Sequence, residues 1–485
     1  MIASLRTNPK YIGTRFLCSF LLLSTCAWGR VLVHWTNTAL PGPDTLGFSD
    51  LVISGNGETS ALLEAAQKKR YRVYLEVPLP QAKDAALKAE KTGLAGIILN
   101  VKELERPEVE NTLRAIGPAH PNFKVLILKS GGKQPQMRGS LVIRRNSILE
   151  VSSPTAQPWI DTNLSLVKLE QSSSRDRTPL YSFSWTSPDT QQQSPPTATD
   201  YALAVAEAGA FHADLVLEVD ERLQKALNKQ DSEAWAFWKQ LKSYADFYSR
   251  ASKPAPEAIA NVAVVVDDLD PTDETMNLLA RHNIPFKVLL PADLKSTDLS
   301  VFDVLVMFAK PDQDSSQHVA DLANRGKTAV VVDAHGSYVW QKGDPVRLNE
   351  KAVSYTVGNG KVIELAESVT DPETFAQDIR RLLGNQNMLV SLWNGLTTIA
   401  VPYGDRKEKP QFIEFVNYAT DPIQLQVKVK GEFTSIRFES PGHDCCVDLA
   451  PVKRDGFTEF VIPDLRVSGR VYLENDSRNA SPSRQ

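Results

Sequence analysis

Ala206-Glu207-Ala208-Gly209-Ala210-Phe211-His212-Ala213-Asp214-Leu215-Val216-Leu217-Glu218-Val219-Asp220 joins the end of an amphipathic segment, Thr199–Phe211, to a short aliphatic run, Asp214–Val219. The run is apolar on both faces, as a strand covered on both sides must be, and acidic residues stand where it stops. The same unit repeats upstream. Apolar runs fall at Val31–Trp35, Leu51–Ser54, Arg72–Val77, Gly96–Asn100, Lys124–Lys129, Ile148–Ser152 and Leu180–Trp185, with Asp214–Val219 as the eighth. Glu58–Lys69 and Gln81–Lys91 are the clearest amphipathic segments between them. Eight alternating strands and helices predict a (β/α)8 barrel over residues 30–250. Two segments read more than one way: Ser140–Val151 also fits a hairpin, and Asn163–Leu169 fits a further strand. Ser184–Asp200 is polar and reads as a long loop. Glu221–Arg250 closes the unit as one or two helices, with Trp235, Trp238, Leu241, Ala245 and Tyr248 at helical spacing, an apolar stripe for packing on the barrel.

A linker at 251–260 containing Lys253-Pro254-Ala255-Pro256 comes next. Residues 261–385 again alternate: strands at Asn261–Val266, Phe286–Leu290, Val301–Phe308 and Thr328–Val332, helices at Asp273–His282, Ser316–Arg325 and Pro372–Leu383, and an extended Gly358–Leu365. That pattern predicts a three-layer, doubly wound α/β unit. Over 386–474 helices vanish. Met388–Trp393, Gln411–Tyr418, Ile423–Val429, Ser435–Ser440, Thr458–Ile462 and Gly469–Leu473 predict an antiparallel β-sandwich, and 475–485 reads as a disordered tail. Three units agree with a length of 485 residues.

The start of the chain reads as a leader. Arg6, Lys10 and Arg15 precede an apolar run, Phe16–Trp28, and Ala27-Trp28-Gly29 has the small-x-small form of a cleavage site before Arg30. A signal peptide at 1–29 implies export to the periplasm or the medium, and the run is too short for a stable membrane span. The alternative is a lipid anchor at Cys26 in Leu23-Ser24-Thr25-Cys26, where Thr25 fits the lipobox poorly. Cys18 and Cys26 leave with a cleaved leader, so Cys445 and Cys446 remain and read as two small, half-buried thiols rather than a strained disulfide ring. A net charge of −4 without a basic cluster argues against nucleic-acid binding. Histidines are scattered without metal-ligand spacing, Gly55-Asn56-Gly57 is an incomplete phosphate loop, and no cofactor or metal is expected. Asp267, Asp268 and Asp270 read as a solvated loop and cap, and Asp333-Ala334-His335-Gly336 as a turn.

The order of units resembles the β-galactosidases with an amidotransferase-like trimerisation domain and the barrel glycosidases related to them. Pro158-Trp159-Ile160-Asp161-Thr162-Asn163 is similar to a barrel-loop motif of that group, the Ala206–Asp220 stretch to its last helix–strand unit, and Glu414-Phe415-Val416-Asn417-Tyr418 with Thr420-Asp421-Pro422 to the first hairpin of its sandwich. The resemblance implies a barrel, a flavodoxin/amidotransferase-like domain that mediates homo-oligomerisation, and a sandwich. Two departures stand out. The resembling enzymes carry an Asn-Glu pair after the fourth strand, whereas this chain reads Leu99-Asn100-Val101-Lys102-Glu103. The amidotransferase-like domain also lacks cysteine, which excludes a cysteine-nucleophile reaction there.

Glycoside hydrolysis needs two carboxyl groups across the scissile bond, and in a barrel these stand at the C-terminal ends of strands. Glu218, Glu76 and Asp161 are the catalytic candidates by that criterion. Asp220 and Asn163 are candidate sugar contacts, Asp220 equally a helix cap. Trp35, Trp159 and Trp185 fall at or just past strand ends, where an indole can stack on a sugar face or merely plug the barrel mouth. His34 could share the site or sit satisfied in the core. The chain thus reads as an exported glycoside-hydrolase-like protein that acts on or binds carbohydrate at the barrel's C-terminal face; the alternative is an inactive barrel serving as a glycan-binding or assembly protein.

Overall fold

The computed structural model of the protein describes residues 29–475, except 56–59, 102–105, 118–122, 139–140, 146–147, 153–158, 186–194, 251–255, 268, 270–271, 407–408 and 420. The expected leader, Asn56 and Gly57, Lys102-Glu103, Asp268, Asp270 and most of the expected tail lie outside the described residues.

The chain begins with β1 (Val31–His34), α1 (Pro43–Leu46), β2 (Asp50–Ser54), α2 (Ser60–Lys68), β3 (Arg72–Pro78), α3 (Ala82–Lys91), β4 (Gly96–Val101), α4 (Arg106–Ile116) and β5 (Lys124–Gly132). It then makes an excursion: β6 (Gln136–Arg138), β7 (Leu141–Arg145), β8 (Ile148–Ser152), β9 (Trp159–Asp161) and α5 (Leu164–Ser173). β10 (Leu180–Phe183), α6 (Ala198–Ala210), β11 (Asp214–Glu218), α7 (Glu221–Asn228) and α8 (Ser232–Ser249) complete the unit. Strands β1 to β5, β10 and β11 close into a parallel barrel of seven strands.

The expected eighth strand is not in the wall. Ile148–Ser152 pairs antiparallel with β7, Asn163–Leu169 is the entry of a helix, and β5 pairs directly with β10. The physical reason lies in the backbone: Ile148–Ser152 spends its ladder hydrogen bonds on β7, and β5 is left to close the wall with β10.

Side-chain alternation sorts the barrel interior into three layers. The middle layer is a dry plug: Leu32, Val52, Tyr74, Ile98, Leu128, Leu180 and Val216 pack together as their own buried cluster. The neighbouring positions Val31, Val33, Leu51, Ile53, Val73, Val77, Ile97 and Leu99 belong to the large outer cluster shared with the helices. Two residues toward the N-terminal ends, the floor is charged, with Arg30 paired to Asp214 at 3.0 Å and Arg72 to Asp50 at 2.7 Å. Two residues toward the C-terminal ends come His34, Ser54, Glu76, Asn100, Ser182 and Glu218, all polar.

The second sheet consists of β12 (Val262–Val265), β13 (Phe286–Leu289), β14 (Val304–Met307), β15 (Thr328–Val331), β16 (Val346–Arg347), β17 (Ala352–Val357) and β18 (Gly360–Leu365). Its order is β13-β12-β14-β15-β18-β17-β16. The first five are parallel, and β17 and β16 add an antiparallel edge. Helices α9 (Asp273–Arg281), α10 (Gln313–Asn324) and α11 (Pro372–Leu383) belong to this region. The remainder forms β19 (Val390–Trp393), β20 (Thr398–Arg406), β21 (Lys409–Asn417), β22 (Ile423–Lys430), β23 (Ser435–Glu439), β24 (Val447–Leu449), β25 (Val452–Arg454), β26 (Phe457–Leu465) and β27 (Ser468–Glu474). They make two antiparallel sheets, β19-β22-β26-β25 and β20-β21-β27-β23-β24. Leu425, Val427 and Phe460 from the first share one buried cluster with Ile413, Phe415, Ile436 and Val471 from the second. On the loop between β23 and β24, Cys445 and Cys446 are joined as a disulfide, contrary to the expectation of two thiols; adjacency in the chain keeps the two sulfurs within reach of each other.

Candidate active site

The polar rim gathers groups from adjacent strands. Pairing register sets His34 of β1 beside Glu218 of β11, and Ser54 of β2 beside Glu76 of β3. His34 bonds through both ring nitrogens, Nδ1 to Glu218 Oε2 at 2.5 Å and Nε2 to Ser54 Oγ at 2.9 Å. Glu76 Oε1 accepts a hydrogen bond from Asn100 Nδ2 at 2.9 Å. Burial alone would lower the His34 pKa. The hydrogen bond to Glu218 and the charges of Glu218 and Glu76 outweigh it, so the pKa is raised above the ordinary histidine value. The imidazolium therefore persists to higher pH and donates from both nitrogens.

Glu218 keeps 37% of its side chain exposed, open to a ligand above the rim. Among the described residues its ion-pair partner is that histidine, and neither Glu218 nor Glu76 is paired with a lysine or arginine. Trp185 stands next to them. Its Nε1–H donates to the Glu218 backbone carbonyl at 2.7 Å, and its ring packs against Phe183 and Tyr201 while staying half-buried. Residues 186–194, which follow it, lie outside the described residues.

The other candidates stand elsewhere. Asp161 is buried and bonded to Arg138 Nε at 2.5 Å and Gln136 Nε2 at 3.0 Å, both on β6, with Trp159 Nε1 at 3.3 Å. An enclosed ion pair of this kind fixes the β6–β9 excursion. Trp159 lies under the guanidinium of Arg281 from α9, 4.8 Å from its ring centre, so it faces the second sheet's helix. Trp35 is fully buried, its indole N–H given to Ala39 O at 3.0 Å. Asp220 caps α7, its Oδ1 accepting from the backbone N–H groups of Arg222 and Leu223.

Asn163 belongs to a buried knot. Its Nδ2–H donates to Glu207 Oε1 at 2.6 Å and to Lys133 O at 2.8 Å. Glu207, on α6, also accepts from Tyr181 Oη at 3.3 Å and from Tyr418 Oη at 2.5 Å, and Tyr418 bonds Thr162 as well. The three stretches singled out in the sequence thus meet in one network: Thr162 and Asn163 from the first, Glu207 from the second, Tyr418 from the third. Their regularity in sequence marks the joint between barrel and antiparallel sheets. Sequence reasoning missed Ser54 and Ser182 as rim residues; the available signal was the period of two, which places a polar side chain two positions past each plug residue.

No protein-family model matches the chain, and no curated protein matches it by sequence. Its fold does match solved structures. The alpha-L-fucosidase isoenzyme 2 from Paenibacillus thiaminolyticus superposes with a TM-score of 0.58 at 11% identity, over 93% of this chain and 100% of that one. A catalytic mutant of a GH42 beta-galactosidase from G. stearothermophilus gives 0.54 at 9% identity, over 93% and 99%. A beta-galactosidase from Rahnella sp. R3 gives 0.50 at 10% identity, over 91% and 99%. The fold is that of a barrel glycoside-hydrolase-like protein. At such identities the likeness extends to the fold alone.

Proposed function

We propose that the chain is an exported, glycoside-hydrolase-like protein that takes carbohydrate at the C-terminal face of the barrel, with Glu218 and Glu76 as its two carboxyl groups. The observation that carries this reading is the polar rim, on which two strand-end carboxylates share one layer and, among the described residues, neither is paired with a lysine or arginine. Hydrolysis needs one group ionised and the other protonated. In that division Glu218, ion-paired with His34, takes the part of the nucleophile or base, and Glu76, the other strand-end carboxyl of the layer, takes the part of the group that protonates the leaving oxygen. Trp185 offers an indole face beside them, and sugar C–H faces stack on such rings. Asp161, Asn163, Trp159 and Trp35 are left out of the site.

A glycan-array screen followed by a hydrolysis assay on every hit tests the reading. Cleavage by the wild type and a loss of about a hundredfold or more in Glu218→Gln is expected. Sugar bound but left intact by both forms removes the hydrolytic claim and leaves the second reading, a glycan-binding or assembly protein. One observation favours that alternative: β4 ends Asn100-Val101, where the resembling enzymes place Asn-Glu.

The remaining parts of the proposal concern the whole chain. Units at 30–250, 261–385 and 386–474 follow the three sheet systems. The order β13-β12-β14-β15-β18 supports a flavodoxin/amidotransferase-like reading of the middle unit, and the shared core of the last two sheets supports a sandwich. Exposed Val346 and Leu348 beside the antiparallel edge of the middle sheet support self-association there. Export rests on the leader at 1–29; N-terminal sequencing of exported protein is expected to begin at Arg30, and a lipid on Cys26 would replace that outcome. No helix among the described residues is long and apolar enough to cross a membrane.

A further inference from the structure

We infer that the cleft where the barrel floor, the parallel sheet and the antiparallel sheets meet is an oxyanion site anchored by Lys168, shaped for a phosphate, a sulfate or the carboxylate of an acidic sugar. The cleft encloses about 660 Å³. Lys168 of α5 lines it, with Lys287 of β13, His212 before β11, and Arg175 and Arg177 just past α5. This face is the opposite end of the barrel from the polar rim: Arg177, Thr178 and Pro179 also line a second cavity, together with the floor residues Arg30, Arg72 and Asp214.

Lys168 is 8% exposed, and the charged neighbour that acts on it is another lysine, Lys287. Its Nζ stands over the ring of Phe286, 5.5 Å from the centre. A buried ammonium with no anion costs free energy, and a neighbouring cation adds to the cost. The surroundings supply such a cation, Lys287, and set against it the modest cation–π contact with Phe286. The acids that do line the cleft are engaged or solvated: Glu257 is 85% exposed at 3.3 Å from Lys287, Asp176 is 83% exposed beside Arg177, and Asp298 accepts from Ser300. Arg175 and Arg177 are held by Asp293 and Glu110. Burial and then Lys287 push the Lys168 pKa down to about 8, which leaves it mostly charged at neutral pH. A bound oxyanion would relieve the conflict, and a cavity of this size admits one with an attached sugar ring.

The full chain, titrated calorimetrically with inorganic phosphate, sulfate and glucuronate against chloride at matched ionic strength, tests the site and tells the three sources apart. Saturable binding of at least one oxyanion is expected, weakened about tenfold or more in Lys168→Met, which keeps the aliphatic stem. The wild type should also lose affinity for sulfate between pH 7 and pH 9, because Lys168 deprotonates there. Of the other groups that line the cleft with Lys287, Arg175, Arg177, Asp176 and Glu257, Asp298 is held low by its bonds from Ser300, Tyr403 is pushed up by burial and His212 is held neutral, so these three do not supply the change. No saturable binding beyond chloride, unchanged affinity in Lys168→Met, or a flat pH profile each overturns the inference. Sugar hydrolysis at the rim is a separate readout and fails or succeeds independently.

Discussion

Glu218 and His34 behave as one unit, and single substitutions should expose it. With the His34 pKa raised in the folded protein, the group stabilises the fold fully below its unfolded value near 6.5, and that contribution disappears as pH rises through the folded value. NMR titration of the ring should place its midpoint above the ordinary value in the wild type and lower in Glu218→Gln. The stability difference between the two, measured by denaturant unfolding, should be about 1 kcal/mol near pH 6 and shrink toward pH 9. Asp161→Asn makes the contrasting case. It takes the charge from a buried aspartate whose partner Arg138 keeps 38% of its side chain exposed, so it should cost about 1 kcal/mol in stability while sugar binding stays intact. At this scale the sequence was partly legible. Glu76 and Glu218 betrayed themselves by ending apolar strands, and Asp161 was drawn in from the loop after the sixth run. What separated them was a partner, Arg138, whose position depends on a strand pairing that no local pattern reveals. Trp35 and Trp159 fail for the same cause: a strand-end indole can turn inward or face a neighbouring helix, and only the fold chooses.

Among elements, the joint at Glu207 concentrates the most consequence. Burial raises its pKa, and the hydrogen bonds from Tyr418, Asn163 and Thr162 pull it back. Tyr418→Phe removes one donor from a buried carboxylate and should cost about 1–3 kcal/mol at neutral pH. The loss should shrink as pH falls, since a protonated Glu207 no longer needs the donor, and urea midpoints at several pH values check this. Asp220→Ala tests a humbler role: as the cap of α7 it should lower stability by about 1 kcal/mol and leave carbohydrate binding unchanged in a pull-down on the array hits. Element reading succeeded where one face or both faces were plainly apolar, as in β1 to β5 and in α6. It failed for β20, whose Pro402 and Gly404-Asp405-Arg406 look like a turn. β20 is an edge strand, and an edge tolerates a residue with no N–H to give. The hairpin β7–β8 was miscounted as barrel wall because a strand's length and apolar fraction do not say which sheet it joins.

Across the whole molecule, the proposed self-association through the middle unit calls for a mass that is a multiple of the 53.6 kDa chain, or of its shorter mature form, in size-exclusion light scattering; a monomer at micromolar concentration would contradict it. The layout of barrel, parallel sheet and paired antiparallel sheets was readable because each changes the period of its apolar residues. If the proposed leader is removed, the floor of the barrel would link processing to architecture. The backbone N–H of Arg30 donates to Asp214 Oδ1 at 3.0 Å while its guanidinium holds the other oxygen, and burial still keeps Asp214 up at about 6. Cutting the leader before Arg30 would convert that amide into a terminal ammonium. The mature chain would then clasp one aspartate with two positive charges from a single residue, and its titration would slide toward lower pH than in a precursor still carrying residues 1–29. Maturation would in this way tighten the seam between the first and last staves of the barrel, and a processed form that melts higher than its precursor is the sign to look for.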